Sequence, residues 1–271
     1  DSYSYRELVL QFARGEPYEF RTPHRRVFRA PGYPLLLAAS ASAFGNNFTP
    51  LAARAVGAVV GTLTIGVLYW LARRIYDQRV ALWAATMGAL YPGAVFTSIL
   101  VLADGLFCAL MVVHLSLWLE AQRAKRHRIA WALAAGAIAG LATLTRPSWL
   151  LFVPFGLLTL AAVLPNRRQT LIVGAAMCGG LVAVCAPWWI RNWQVTNHFV
   201  PTTLQVGASL YDSLGPQADG SSNMQFVAKF ERELRADGVE HPDFEYQLDR
   251  KMRDAALAAA RGISPEACAQ L

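Results

Sequence analysis

The sequence predicts an all-α integral membrane protein, a multi-span helical bundle with outer juxtamembrane helices and a small helical segment on its outer side. Three observations predict it. Hydrophobic residues fill 55% of the 271 positions and charged residues only 16%, against about 25% charged in an ordinary soluble domain. The apolar excess is concentrated between Leu51 and Ile190, in runs long enough for helices that cross a bilayer. Arg and Lys fall in short clusters between alternate runs, as the cytoplasmic turns of membrane proteins do. The net charge of +7 therefore reads as topology. No nucleic-acid partner is expected, and membrane lipids are.

Residues 1–50 are expected to form an outer loop with juxtamembrane helices. Tyr5 to Arg14 suits a short helix that Gly15-Glu16-Pro17 would end. Pro31 to Phe44 is apolar but too short to cross a bilayer at about 1.5 Å per residue. A helix lying in the interface suits it better, closed by Gly45-Asn46-Asn47.

Residues 51–191 are expected to form a six-span transmembrane bundle. The runs are Leu51–Leu71, Val80–Thr97, Val101–Trp118, Ile129–Leu144, Ser148–Leu164 and Thr170–Ile190, with a break at Pro92-Gly93 inside the second. Arg73, Arg74 and Arg79 follow the first run, Arg123, Lys125, Arg126 and Arg128 the third, and Arg167 and Arg168 the fifth. The positive-inside rule makes these turns cytoplasmic. The N-terminal segment, the Tyr91–Leu102 region, the Arg146 turn and everything after Arg191 then face outward. Residues 192–271 are expected to be an outer-side soluble segment: loop-like to Gln225, then charged and helix-periodic over Met224–Ala236 and Asp243–Arg261. Residues 1–30 carry Arg6, Arg14, Arg21, Arg25, Arg26 and Arg29, a heavy basic load for a translocated segment. Either nearby acids pair with them or some of them hold an anion. The chain begins at Asp1 with neither Met nor a signal-peptide pattern, which predicts a fragment of a larger protein.

Asp104 is the strongest single chemical signal. It is the only acid between Asp77 and Glu120, and it stands at the outer end of the third run. An ionisable group in a membrane helix faces a cavity or a partner, although an acid also suits a helix N-terminus. Arg29, Arg146 and Arg191 lie at outer edges of apolar runs. There they suit phosphate and equally suit interfacial anchoring, the role expected for Trp188 and Trp189. Phe28-Arg29-Ala30-Pro31-Gly32-Tyr33-Pro34, taken with the aromatic residues upstream, reads as one face of an active site at the membrane surface. Cys108, Cys178, Cys185 and Cys268 form no disulfide framework and no metal spacing. Phosphate-loop, nucleophile-elbow and dinucleotide motifs are absent.

Taken in order, these features resemble the C-class membrane glycosyltransferases that use polyprenyl-phosphate sugars, the superfamily of protein O-mannosyltransferases and lipid A aminoarabinose transferases. The resemblance rests on Asp1 with Tyr5, Arg29-Ala30-Pro31-Gly32-Tyr33-Pro34, Ala53-Arg54, Ala103-Asp104-Gly105, Gly140 to Pro147, and Pro187-Trp188-Trp189-Ile190-Arg191-Asn192. It implies an inverting transfer from a polyprenyl-phosphate-linked sugar donor to an acceptor that is a protein, a lipid or a glycan. The site would face the periplasm or exterior of a bacterial inner membrane. Asp1 would be the general base, with Asp104 orienting the acceptor or sharing that role. Arg29, Arg146 and Arg191 would hold the donor phosphate, and Tyr5 and Tyr33 would touch acceptor or sugar. It makes no cofactor certain, and two carboxylates leave room for a divalent metal without demanding one.

Two other readings stay open at this stage. A transporter or flippase for a lipid-linked or anionic solute also uses intramembrane acids, but it calls for helix breaks at matched positions in two halves. Only the break at Pro92-Gly93 stands out. A non-catalytic membrane scaffold would leave Asp1 and Asp104 unrelated in space.

Overall fold

The computed structural model describes residues 2–21, 24–43, 49–163, 167–240 and 242–262. Among the described residues, helices account for nearly all regular structure: α1 (Ser2–Arg14), α2 (Gly32–Ala43), α3 (Pro50–Ile75), α4 (Gln78–Leu90), α5 (Pro92–Ile99), α6 (Ala103–Arg123), α7 (Arg128–Thr145), α8 (Phe152–Val163), α9 (Arg167–Thr196), α10 (Val206–Leu214), α11 (Val227–Ala236) and α12 (Phe244–Arg261). Short 3-10 turns at Pro147–Leu151 and Met224–Phe226 lead into α8 and α11. One two-residue antiparallel pair joins β1 (Phe20–Arg21) to β2 (His24–Arg25).

Local chemistry sets the ends. Gly15 takes φ +67 and stops α1. Thr49 caps α3 by accepting from the Ala52 N–H at 3.1 Å, and Pro50 occupies the first turn. Asp77 caps α4 through the Val80 N–H at 2.9 Å. Pro92 holds Tyr91 extended and splits α4 from α5, so the run Val80–Thr97 is two helices. Pro147 likewise turns the start of the run Ser148–Leu164 into a 3-10 segment.

Helices α3, α6, α7 and α9 are each long and apolar enough to cross a membrane. Leu63, Trp83, Phe155 and Leu158 are largely exposed, an outward face that acyl chains accept and water penalises. The protein is an all-α integral membrane protein.

The chain divides into two compact units, Asp1–Tyr18 with Ala30–Pro187, and Glu19–Arg29 with Trp188–Leu271. In the first, α6 and α7 run antiparallel and α3 runs parallel to α6. Ala53 and Ala103 share one core cluster near the start of α3 and α6, while Arg74 pairs with Glu120 at 3.0 Å near their ends. Small residues set the spacing. A Cβ on Gly136 would lie 1.9 Å from the Met177 carbonyl oxygen, and one on Gly180 would lie 2.3 Å from that of Leu133. Helices α7 and α9 therefore touch backbone to backbone.

In the second unit, Phe230, Leu234, Phe244, Leu248 and Met252 form the core. Two buried acids of α12 serve backbone donors. Glu245 accepts from the Arg26 and Val27 N–H groups, and Asp249 accepts from the Gly207 N–H at 2.8 Å. Arg25 pairs with Glu231 at 2.6 Å. Part of the N-terminal basic load is thus neutralised by an acid more than two hundred residues away. The stretch expected to be loop-like differs: α9 continues to Thr196, and α10 forms within it. Helix α10 lies so close to α12 that a Cβ on Gly207 would meet the Asp249 carbonyl at 1.9 Å. Tertiary packing decides that segment.

Gly136→Val is expected to destabilise the protein by about 1–3 kcal/mol or more through overpacking, read as a lower unfolding temperature in detergent. Burial pushes the Asp249 carboxyl above its ordinary value, against the Gly207 hydrogen bond and the charges of Arg253 and Arg25. A raised value means that its stabilising contribution is complete below the ordinary carboxylate range and is lost as pH climbs through the raised one. Asp249→Asn keeps an acceptor for Gly207 without the charge. Its stability relative to wild type is expected to improve as pH rises above the ordinary carboxylate range, measured by thermal unfolding across a pH series.

Candidate active site

Helix α7 returns antiparallel to α6, so the first turn of α6 and the end of α7 occupy the same end of the bundle. Asp104 lies in that first turn. Arg146 is the residue that caps α7, its own N–H bonded to the Ala142 carbonyl at 2.7 Å. The Arg146 guanidinium Nη1 donates to Asp104 Oδ1. The carboxylate sits at the positive end of one helix dipole and the guanidinium at the negative end of the other, so both positions suit their charges. The side chains remain 41% and 50% exposed. The pair is accordingly open to a ligand from one side.

The Arg146 guanidinium also lies over the Phe107 ring, 5.7 Å from its centroid. Phe107 packs edge-on to Trp149, and Trp149 stacks on Phe152 at 4.1 Å. His114 sits beneath, fully buried, with Nδ1 2.9 Å from the Ala135 carbonyl oxygen and Trp118 and Trp149 alongside. An aromatic block therefore fixes the floor under the ion pair.

The motif around Pro31 reaches the same end. A Cβ on Gly32 would stand 2.6 Å from Thr145 Oγ1 and 2.8 Å from the Leu144 carbonyl oxygen. Only glycine lets α2 approach the end of α7 this closely. Tyr33 meets Tyr5 edge-to-face at 5.0 Å. Both are buried in the cluster that contains Val9, Leu37, Ala53 and Ala103, and Ala103 is the neighbour of Asp104 in sequence.

Among the residues singled out in the sequence, the structure brings Asp104, Arg146, Tyr5 and Tyr33 to one end of the first unit, with the two tyrosines as core side chains. Arg29 and Arg191 belong to the second unit. Arg29 lies over the Phe28 ring at 5.0 Å. Arg191 lies over Trp188 at 4.8 Å and donates to Asn192 Oδ1 at 3.3 Å. Asp1 lies outside the described residues. Trp188 and Trp189, expected as headgroup anchors, donate their indole N–H groups to the Thr202 and Pro201 carbonyls, each at 2.7 Å. With Asn192 on the Val200 carbonyl at 2.9 Å, they pin the chain that follows α9. Among the described residues no group of three or more His, Cys, Asp or Glu side chains is placed to hold a metal.

The sequence reading passed over Phe107, Glu245 and Asp249. Phe107 lies three residues after Asp104, one helical turn along the same face. Glu245 and Asp249 lie four apart, each directly beside a core residue of α12, Phe244 and Leu248, so two acids interrupt its apolar stripe. Each signal was available in the spacing.

Because the Asp104–Arg146 pair is half exposed, Asp104→Asn and Arg146→Ala are each expected to change stability by about 1 kcal/mol or less. Unfolding temperature and monodispersity in detergent check this. A collapse of either variant would make the pair structural.

A family model described as dolichyl-phosphate-mannose-protein mannosyltransferase matches residues 28–190, more than half of the chain. The matched range contains Arg29, Tyr33, Asp104 and Arg146. It leaves Tyr5 and Arg191 outside. No curated protein and no solved structure matches.

Proposed function

The chain belongs to the dolichyl-phosphate-mannose-protein mannosyltransferase family, and from that premise we propose that this membrane glycosyltransferase moves a sugar from a polyprenyl-phosphate donor to an acceptor on the outer face of a bacterial inner membrane. The observation that carries the reading is the open Asp104–Arg146 pair at one end of the α6–α7 hairpin.

Transfer of the sugar breaks the bond between its anomeric carbon and the phosphate oxygen, and charge grows on the lipid phosphate as that bond opens. Arg146 offers guanidinium donors beyond the one bonded to Asp104, and a planar fork suits two phosphate oxygens. A cation already in place stabilises that charge without reorganisation at the moment of reaction. Arg29 and Arg191 are the further phosphate ligands in this reading. Asp1 takes the proton of the acceptor hydroxyl or amine as it attacks the face opposite the leaving phosphate, with inversion. Support for Asp1 comes from Tyr5, four residues on in sequence, which shares a core cluster with Ala103. Asp104 orients the acceptor and holds Arg146 in register, and Tyr5 and Tyr33 shape the wall beside it.

The orientation follows the charge. Arg74 with Glu120, and the Arg123 bond to the Arg74 carbonyl, lie at the end of α3 and α6 remote from Asp104. Lys125, Arg126 and Arg128 follow in the turn before α7. The positive-inside rule puts that end in the cytoplasm and the ion pair outside. Residues 51–191 are then the membrane-embedded bundle, residues 1–50 its outer loop and juxtamembrane helices, and residues 192–271 an outer-side segment.

Membranes carrying the full-length protein, given a panel of labelled polyprenyl-phosphate sugars, are expected to consume label from one donor. Arg146→Ala is expected to slow consumption by about 10²–10³-fold, with Arg146→Lys intermediate, and Asp1→Asn to abolish transfer to acceptor. Undiminished turnover in Arg146→Ala would remove the phosphate role. Transfer that survives Asp1→Asn would remove the base.

A further inference from the structure

The second unit contains a polar pocket remote in sequence from every residue assigned above. The loop between α10 and α11 folds back on itself to form an open concavity of about 120 Å³. Tyr211 and Phe226 contribute two aromatic rings, 4.7 Å apart and inclined at 50°. Asp212, Asp219, Asn223 and Gln225 contribute carboxylate and amide groups. The loop is internally braced. Asp212 Oδ1 accepts from the Asn223 N–H at 3.0 Å, and Asp219 Oδ1 accepts from the Ser221 N–H and hydroxyl at 2.8 and 2.6 Å. One oxygen of each carboxylate is engaged in these bonds.

The lining decides the ligand class. It contains two acids, several amides and no Arg, Lys or His, so an anion is disfavoured. The pairing of an aromatic ring with directional carboxylate and amide acceptors is what a sugar ring requires. Its C–H face packs on the aromatic group while neighbouring hydroxyls donate to the acceptors. The concavity is shallow, so a ring seated on it would keep one face in solvent.

We propose that the pocket formed by Tyr211, Phe226, Asp212, Asp219, Asn223 and Gln225 binds a single neutral or amino sugar ring. Binding of the ring stands on the pocket alone, and it involves no covalent step.

The test uses the full chain in lipid nanodiscs. Saturation-transfer NMR is run with methyl glycosides of glucose, mannose, galactose and glucosamine, against wild type, Gln225→Ala and Asp219→Asn, with and without a divalent-cation chelator. Saturation of at least one glycoside is expected, chelator-independent and roughly tenfold weaker in each variant, the size of one lost hydrogen bond. Donor consumption with water as acceptor is expected to be unchanged in both variants. No saturation of any glycoside, equal saturation in wild type and both variants, or saturation abolished by the chelator would each overturn the sugar subsite. Loss of donor consumption already in wild type would instead sink the transfer reading, with glycoside binding still measurable.

Discussion

Helix α7 is narrow enough to be approached closely from two sides, and the arrangement of the first unit depends on that. Ala132, Ala135, Ala139 and Ala142 are fully buried along it, while Gly136 and Gly140 admit the backbone of α9 and the side chain of Val184. In a bilayer no hydrophobic gain distinguishes helix–helix from helix–lipid contact, so close approach and dispersion hold such a seam. The Cys185 thiol reaches the Gly140 carbonyl at 3.8 Å for the same reason. With bulkier residues on either face, α6 and α9 would stand further off and the Asp104–Arg146 geometry would open.

That seam converts sequence order into chemistry. Asp104 begins one apolar run and Arg146 follows the end of the next, forty-two residues later. Two antiparallel spans of matched length return the chain to the same membrane face, so the two charges meet without a dedicated loop. The Gly32 approach to Thr145 brings a third segment to the same spot. In the second unit, buried carboxylates replace small residues as the ordering device. Glu245 holds the backbone of Arg26 and Val27, and Leu204 donates its N–H to the Val27 carbonyl at 2.9 Å. The segment just before the Arg29-Ala30-Pro31-Gly32 motif is thereby fixed from its N-terminal side.

The membrane class and most helices were legible in the sequence, because apolar runs, Pro92, Gly15 and the basic turns act locally. The meeting of Asp104 with Arg146 was legible only in part. Counting spans puts both on the outer side, but their pairing requires the register of α6 against α7. Arg29, Arg146 and Arg191 looked alike in sequence as outer-edge cations. The structure separates them, giving each its own aromatic partner: Phe28, Phe107 and Trp188. Tyr5 and Tyr33 entered as acceptor or sugar contacts through the family resemblance. Here they pack edge-to-face in a core. Helix α10 was hidden because its Gly-flanked sequence reads as loop, and only the approach of α12 at Gly207 rewards the helical form.

In the sugar-transfer reading, the ion pair also bears on how Arg146 would distinguish its ligand. An unpaired guanidinium at that depth would attract the phosphate of any phospholipid, which vastly outnumbers a glycosylated carrier. Asp104 gives Arg146 an intramolecular counter-charge, so a headgroup that offers only phosphate exchanges one anion for another and gains little. In that reading a glycosylated carrier would gain from contacts beyond its phosphate while Asp104 still holds Arg146, so discrimination would come from the pair acting together.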